Sequence, residues 1–168
     1  MNKTIVIFGN SSKADGSRSL ADEVASGFDF KVIDLAEYDI NDREFNDPLI
    51  EIVEQVIHAD TIIFATPTYC YSMSARMKLF LDRLTDLARM DEELKTMLRG
   101  KRGLLLSTGT EAEAPKYLEE TFSLLLAYLG IEYCGMLYRP HDTGFTPAQI
   151  SAFGHKAVAE TGSWSSAA

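Results

Sequence analysis

Two rhythms alternate along the chain. Short apolar, β-favouring runs stop at glycine or proline, and longer stretches between them carry apolar residues every three or four positions. Lys3 to Phe8 is a run of the first kind and ends at Gly9. Phe30 to Leu35, Ile62 to Ala65, Gly103 to Leu106 and Ile131 to Tyr138, the last interrupted by Gly135, predict four further strands. The uncharged ones have the pattern of strands covered on both faces in a parallel sheet. Leu20, Val24 and Phe28 share one side of a first helix. Ile52, Val53, Val56 and Ile57 form the buried face of a second, opened by Asp47 as cap and Pro48 in the first turn. Met77, Phe80, Leu81, Leu84 and Leu87 form the stripe of a third, with a short helical continuation from Asp91 to Arg99 that ends at Gly100. Tyr117, Phe122, Leu125, Leu126 and Leu129 mark a helix from Lys116 to Leu129, closed by Gly130. Thr146, a cap followed by Pro147, starts a last helix that runs to about Glu160.

Five strands alternating with five helical segments predict one α/β domain over residues 1–160, a three-layer sandwich around a five-stranded parallel sheet. Right-handed crossovers leave few topologies. In such sheets the ligand sits at the carboxyl ends of the strands where the winding reverses, which for strand order 2-1-3-4-5 lies between the first and third strands. The segments trailing those two strands, Gly9 to Ser19 and Thr66 to Ser74, are the least like ordinary connectors.

Thr66 and Pro67 are expected to end the third strand, because a residue before proline is pushed away from the helical region and a loop must intervene. That loop, Thr68 to Ser74, carries Tyr69, Cys70, Tyr71, Ser72 and Met73. It offers a bed for a flat ligand; the alternative is that the tyrosines only cover the sheet end. In the first loop Ser11, Ser12, Ser17 and Ser19 offer hydroxyls, Gly16 permits close backbone approach and Arg18 offers a positive fork. At a helix amino terminus these groups suit a phosphate; the alternative is a serine-rich capped turn without a ligand. Neither GxGxxG nor GxxxxGK[ST] is present, so a dinucleotide fingerprint and a P-loop are unsupported. A third loop, Ser107 to Thr110 with Glu111, opens on the same edge, and Gly109 could bring N–H groups against a ring or simply turn the chain.

The composition narrows the functional classes. At 168 residues the chain holds one well-buried core. A net charge of -9 without a basic run beyond Lys101 and Arg102 argues against nucleic acid as a partner. Cys70 and Cys134 show neither a disulfide framework nor metal spacing, which fits a reducing compartment. The N-terminal TIVIFG is too short for a signal peptide and no apolar run is long enough to span a bilayer, so a cytoplasmic protein with no membrane partner is expected. The tail TGSWSSAA, residues 161–168, has no pattern to pack and is expected to be disordered or left over from expression.

GNSSKADGSRSLA after the first strand and ATPTYCYSMSARMKLFLDRL after the third together resemble the flavodoxin-like NAD(P)H-dependent FMN reductases. The second motif carries that family's Thr-Pro, aromatic-rich turn, Ser-Met and Lys-x-Phe-x-Asp-Arg helix; in the first, Asn10 and Ser11 stand where the family usually has Ser and Pro or Leu. STGT, at residues 107–110, stands where the family often has Ser-Gly-Gly or Thr-Gly-Gly. The resemblance implies that Ser11, Ser17, Arg18 and Ser19 hold the FMN phosphate. It implies that Pro67, Thr68, Tyr69, Cys70, Tyr71, Ser72 and Met73 border the isoalloxazine ring, with Ser107, Thr108 and Gly109 along its other edge. It further implies a homodimer, with Met77, Phe80 and Leu84 as candidates for the contact.

The implied activity is ping-pong transfer from NADPH or NADH to FMN and on to a quinone, azo, nitro or similar acceptor, with no catalytic side chain required because the flavin carries the chemistry. A flavodoxin-type electron carrier is the main alternative. A receiver-like domain is set aside, since Gly9, Asn10, Thr66 and Pro67 occupy the places where it needs acidic residues. For Cys70, a small polarizable filler beside the ring is preferred to thiol catalysis, as no base or second cysteine is adjacent. His58 reads as facing a helix dipole rather than a metal, and Glu92, Glu93, Glu111 and Glu113 read as solvated charge.

Overall fold

A computed structural model describes residues 3–10, 17–41, 48–141 and 143–159. In chain order the elements are β1 (Thr4–Phe8), α1 (Ser17–Phe28), β2 (Lys31–Asp34), a 3-10 turn (Leu35–Glu37), α2 (Leu49–Ile57), β3 (Thr61–Tyr69), β4 (Ser72–Met73), α3 (Ala75–Met90), α4 (Glu92–Leu98), β5 (Arg102–Gly109), α5 (Lys116–Tyr128), β6 (Glu132–Pro140) and α6 (Pro147–Val158). The sheet has the order β2-β1-β3-β5-β6, all parallel, with β4 paired antiparallel to the end of β3. The five long strands therefore follow the predicted order, and the sixth strand is an addition to the predicted count.

Strand alternation divides the core in two. Val6, Phe8, Ile63, Ala65, Leu104 and Leu106 face α1 and α6, where Val24, Phe153 and Ala157 meet them. Ile5, Ile7, Ile62, Phe64 and Leu105 face the other way, against Leu49, Ile52 and Val56 of α2, Met77, Phe80 and Leu84 of α3, Leu98 of α4 and Phe122 and Leu126 of α5. Both faces of the sheet are thus covered, which is why its central strands β1 and β3 read as uncharged runs.

Several expectations need correction. β3 does not end at Thr66 and Pro67 but continues to Tyr69. Gly9 N–H donates to the Ala65 carbonyl at 2.9 Å, so Ala65 turns its polar groups toward β1. Pro67, two residues on, faces the same side, where β1 has already ended at Phe8, so its missing N–H interrupts no ladder. β5 likewise continues through Ser107 and Thr108 to Gly109, paired with Thr66 and Pro67 on one side and β6 on the other. The third predicted loop therefore begins only at Thr110.

On α5 Phe122, Leu126 and Leu129 are buried as expected, but Tyr117 is 74 % exposed and Leu118 takes the buried position at that end. Met77, Phe80 and Leu84 are fully buried within the chain's own core, so they offer no surface to a second subunit. Gly135, at φ 115°, sits where β6 bulges opposite Leu104, as its interruption of the run suggests. Thr146 caps α6 through a capping box with Gln149, and Pro147 occupies the first turn. Pro48 stands at the cap position of α2 rather than in its first turn, and the expected cap Asp47, the side chain of Leu20, Glu160 and the tail 161–168 lie outside the described residues.

Candidate functional site

The carboxyl ends of β1 and β3 meet through buried polar contacts rather than through apolar packing alone. Past Pro67, Thr68 pairs with Met73 and Tyr69 with Ser72, so Cys70 and Tyr71 form a two-residue hairpin loop. Both have positive φ, 49° and 66°, the combination that defines a type I′ turn and normally recruits Asn-Gly. Left-handed backbone at a residue with a Cβ costs roughly 1–2 kcal/mol. The turn projects Tyr69, 42 % exposed, and Tyr71, 64 % exposed, beyond the sheet edge, with Cys70 also exposed.

Beneath the tip, hydroxyls lock the hairpin to its neighbours. Ser74, 1 % exposed, caps α3 by accepting from Met77 N–H at 3.1 Å and donates its own hydroxyl to the carbonyl of Gly9. Its N–H donates to Thr66 Oγ1 at 3.0 Å. Ser107 Oγ donates to the Thr66 carbonyl at 2.7 Å and lies 3.0 Å from Thr68 Oγ1. Higher up, Tyr69 donates its phenol to Asn10 Oδ1 at 3.3 Å. The first residues after β1 are thus tied twice to the hairpin, once through Ser74 and once through Tyr69. Gly9 permits this closeness: a Cβ there would lie 2.8 Å from Met77 Cβ.

Of the residues expected to border a ring, Thr68, Tyr69, Cys70, Tyr71 and Ser72 are at least partly exposed on the hairpin, whereas Pro67 and Met73 are buried beneath it. Ser107, Thr108 and Gly109 are buried in β5, so they form the floor at the sheet end rather than an open edge. The Thr108 hydroxyl is buried there with no hydrogen-bond partner. A Cβ on Gly109 would come 2.6 Å from the Tyr138 phenol, which donates to the Glu111 carbonyl at 3.0 Å. Burial, and then the charge of Glu111, push the Tyr138 phenol above its ordinary pKa, while the bond to the Glu111 backbone opposes them.

In the loop expected to suit a phosphate, Ser11, Ser12 and Gly16 lie outside the described residues. Ser17 opens α1, with its side chain not described; Ser19 is exposed on the first turn. Arg18 is engaged: its Nε bonds both Asp22 oxygens at 3.0 Å and its Nη1 bonds Asp34.

Asn10, Thr66 and Ser74 escaped sequence reasoning as site residues. Only Ser74 carried a legible signal, a serine immediately before an apolar stripe of helical period. No group of three or more metal-ligating side chains occurs among the described residues, and none of their helices is long and apolar enough to cross a membrane. A concavity of about 1180 Å³ lies at the opposite edge of the sheet, mixing Lys3, Lys31 and His58 with Asp29 and Glu54. It lies at the amino ends of the strands, away from the switch point where a ligand is expected.

The sequence profile of the NADPH-dependent FMN reductases matches residues 2–138. The chain belongs to that family. FMN is accordingly its cofactor, with a nicotinamide as electron donor. YwqN of Bacillus subtilis, which bears the name of an NAD(P)H-dependent FMN-containing oxidoreductase, is 26 % identical over 159 residues, covering 83 % of this chain and 88 % of its own. Among solved structures, an NADH:FMN oxidoreductase in its apo form superposes with TM-score 0.73 at 20 % identity, covering 94 % of this chain and 87 % of that one. The flavodoxin of Megasphaera elsdenii superposes with TM-score 0.62 at 13 % identity, covering 91 % and 97 %. The fold is therefore flavodoxin-like, and it is shared by an enzyme and a flavodoxin.

Proposed function

We propose that the protein is an FMN-dependent oxidoreductase that takes hydride from NADPH or NADH and reduces a small acceptor such as a quinone, azo or nitro compound. The observation that carries the reading is the double tie between the β1 exit and the aromatic hairpin. Ser74 to Gly9 and Tyr69 to Asn10 hold the exit of β1 and a flat, exposed aromatic edge side by side. A phosphate ester and a planar ring joined by a flexible chain need that pairing. The donor set fits as well: hydroxyls, backbone groups and phenols, with the buried Thr108 hydroxyl left over at the floor.

In this reading Ser11, Ser17 and Ser19 with the first N–H groups of α1 receive the phosphate. Thr68, Tyr69, Cys70, Tyr71 and Ser72 border the ring, and Pro67, Met73, Ser107, Thr108 and Gly109 fix the height of the floor beneath it. FMN supplies the electron-accepting chemistry when bound. The protein's work is to orient donor and acceptor against one ring face and to keep the hairpin in one conformation.

A purified sample should take up FMN with a shift in flavin absorbance and then oxidise NADPH or NADH in the presence of a quinone or azo dye. Absence of flavin binding would sink the reading. The strong negative charge, -9, favours a second reading as a one-electron carrier docking on protein partners. Holoprotein that barely oxidises either nicotinamide would select the carrier.

A further inference from the structure

A cation already paired with carboxylates is a poorer receptor for an anion, and Arg18, in the first turn of α1, is so paired, with its side chain 41 % exposed. Its guanidinium bonds Asp22 on its own helix and Asp34 at the end of β2. Burial alone would push it down, but the hydrogen bond to Asp22 and the charges of Asp22, Asp34 and Glu37 outweigh that and hold it above its ordinary pKa. One positive charge thus faces three negative ones, and a phosphate brought to it would meet their repulsion.

Asp34 is an anchor rather than a loose partner. Its side chain is 15 % exposed, and Oδ1 accepts from Ala36 N–H at 2.9 Å to cap the 3-10 turn, while Oδ2 takes Arg18. The Arg18 guanidinium also lies 5.5 Å from the ring centroid of Phe8, the last residue of β1. One side chain therefore connects α1, β1 and β2 at the edge of the sheet where the helix begins.

We propose that Arg18 is a positioning residue that braces the first turn of α1 against β2 through Asp34, and that it does not supply the charge holding a flavin phosphate. The phosphate is then held by the uncharged donors of the helix start. The second half of this inference rests on the FMN reading above; the brace does not.

Two measurements on the full chain separate the parts. In thermal unfolding, Arg18→Gln and Asp34→Asn should each lower Tm by several degrees, and the double variant should be no less stable than the worse single one, since both remove one interaction. Additive losses would overturn the brace. In fluorescence titrations with FMN and with riboflavin, Arg18→Gln should change both dissociation constants by the same factor, leaving their ratio within about threefold of the wild-type ratio. A loss of about tenfold or more for FMN alone would make Arg18 a phosphate ligand and overturn the proposal. Wild-type protein that binds neither flavin would overturn the FMN reading and the phosphate half with it, while the Tm cycle still decides the brace.

Discussion

Replacing Ser74 with alanine removes one hydroxyl that serves two elements. Its oxygen accepts from Met77 N–H to cap α3, a contact whose loss costs roughly 1 kcal/mol. The same hydroxyl donates to the carbonyl of Gly9, which is buried and loses this donor in the alanine variant, at a further cost of about 1–3 kcal/mol. The methyl group fills nearly the same space, so no cavity adds to the loss. Urea unfolding followed by far-UV circular dichroism should therefore show a loss of about 2–4 kcal/mol at an unchanged m-value. On the proposed FMN site, affinity for FMN should fall as well, because the tie between the exit of β1 and the hairpin is broken. Leu98→Ala is the matched control: Leu98 is fully buried in α4, and its truncation costs about 2–5 kcal/mol by emptying core space. It should leave the FMN dissociation constant nearly unchanged. A Ser74→Ala loss below about 0.5 kcal/mol would refute the reasoning. So would an equal loss of FMN affinity in the Leu98→Ala control.

Gly9→Ala would set a Cβ 3.0 Å from the backbone Cα of Met77, so α3 must shift; a destabilisation of about 1–3 kcal/mol is expected in the same urea assay. Tyr71→Gly relieves a left-handed residue at the hairpin tip, and the unfolding midpoint should rise by the equivalent of about 0.5–1 kcal/mol while FMN affinity drops; a fall in midpoint would show that the turn is not strained. Tyr133 is held above its ordinary pKa by burial, then by its hydrogen bond to Glu119 and the charge of that residue. Above 10.0 the unfolded chain loses this proton while the folded chain keeps it, so the contribution is full below 10.0 and declines as pH rises. Lys101, pushed below 10.5 by burial, acts with the opposite sign, and its contribution grows as pH rises toward 10.5. Tm profiles of wild type and Tyr133→Phe isolate the tyrosine: the variant should lose less stability above 10.0, and parallel profiles would contradict the shift.

Strand order, layer structure and helix faces were legible because burial on both sides of a parallel sheet writes itself into the chain as uncharged runs, and amphipathic helices write a period of 3.6. The caps were equally local: Thr146 with Gln149 and Pro147, and the serine before α3, act within one turn of where they are read. Tyr117 failed for the same reason of locality. Its spacing suits the stripe, but which side of α5 meets the sheet is fixed by where β5 and β6 hold the helix, and Leu118 took the buried position.

The lengths of β3 and β5 could not be read either. Pro67 stops a strand only where its missing N–H would face a neighbour, and whether β1 extends that far is a property of the assembled sheet. Ser107 and Thr108 look like loop residues, yet they are buried between β3 and β6, with Ser107 donating to the Thr66 carbonyl. The role of Arg18 shows the same division. Sequence supplied a cation at the start of a helix, next in line to a serine-rich turn, and chemistry made it a candidate for phosphate. The charge it meets comes partly from Asp22, one turn away and visible in the sequence, and partly from Asp34, sixteen residues on and brought beside it only by the β1–β2 pairing. The sequence by itself determined the elements, their order and the two loops that matter, since these depend on patterns within a few residues. Tertiary structure alone decided where strands end and which partners neutralise a charge, since both depend on neighbours that the chain reaches only after folding.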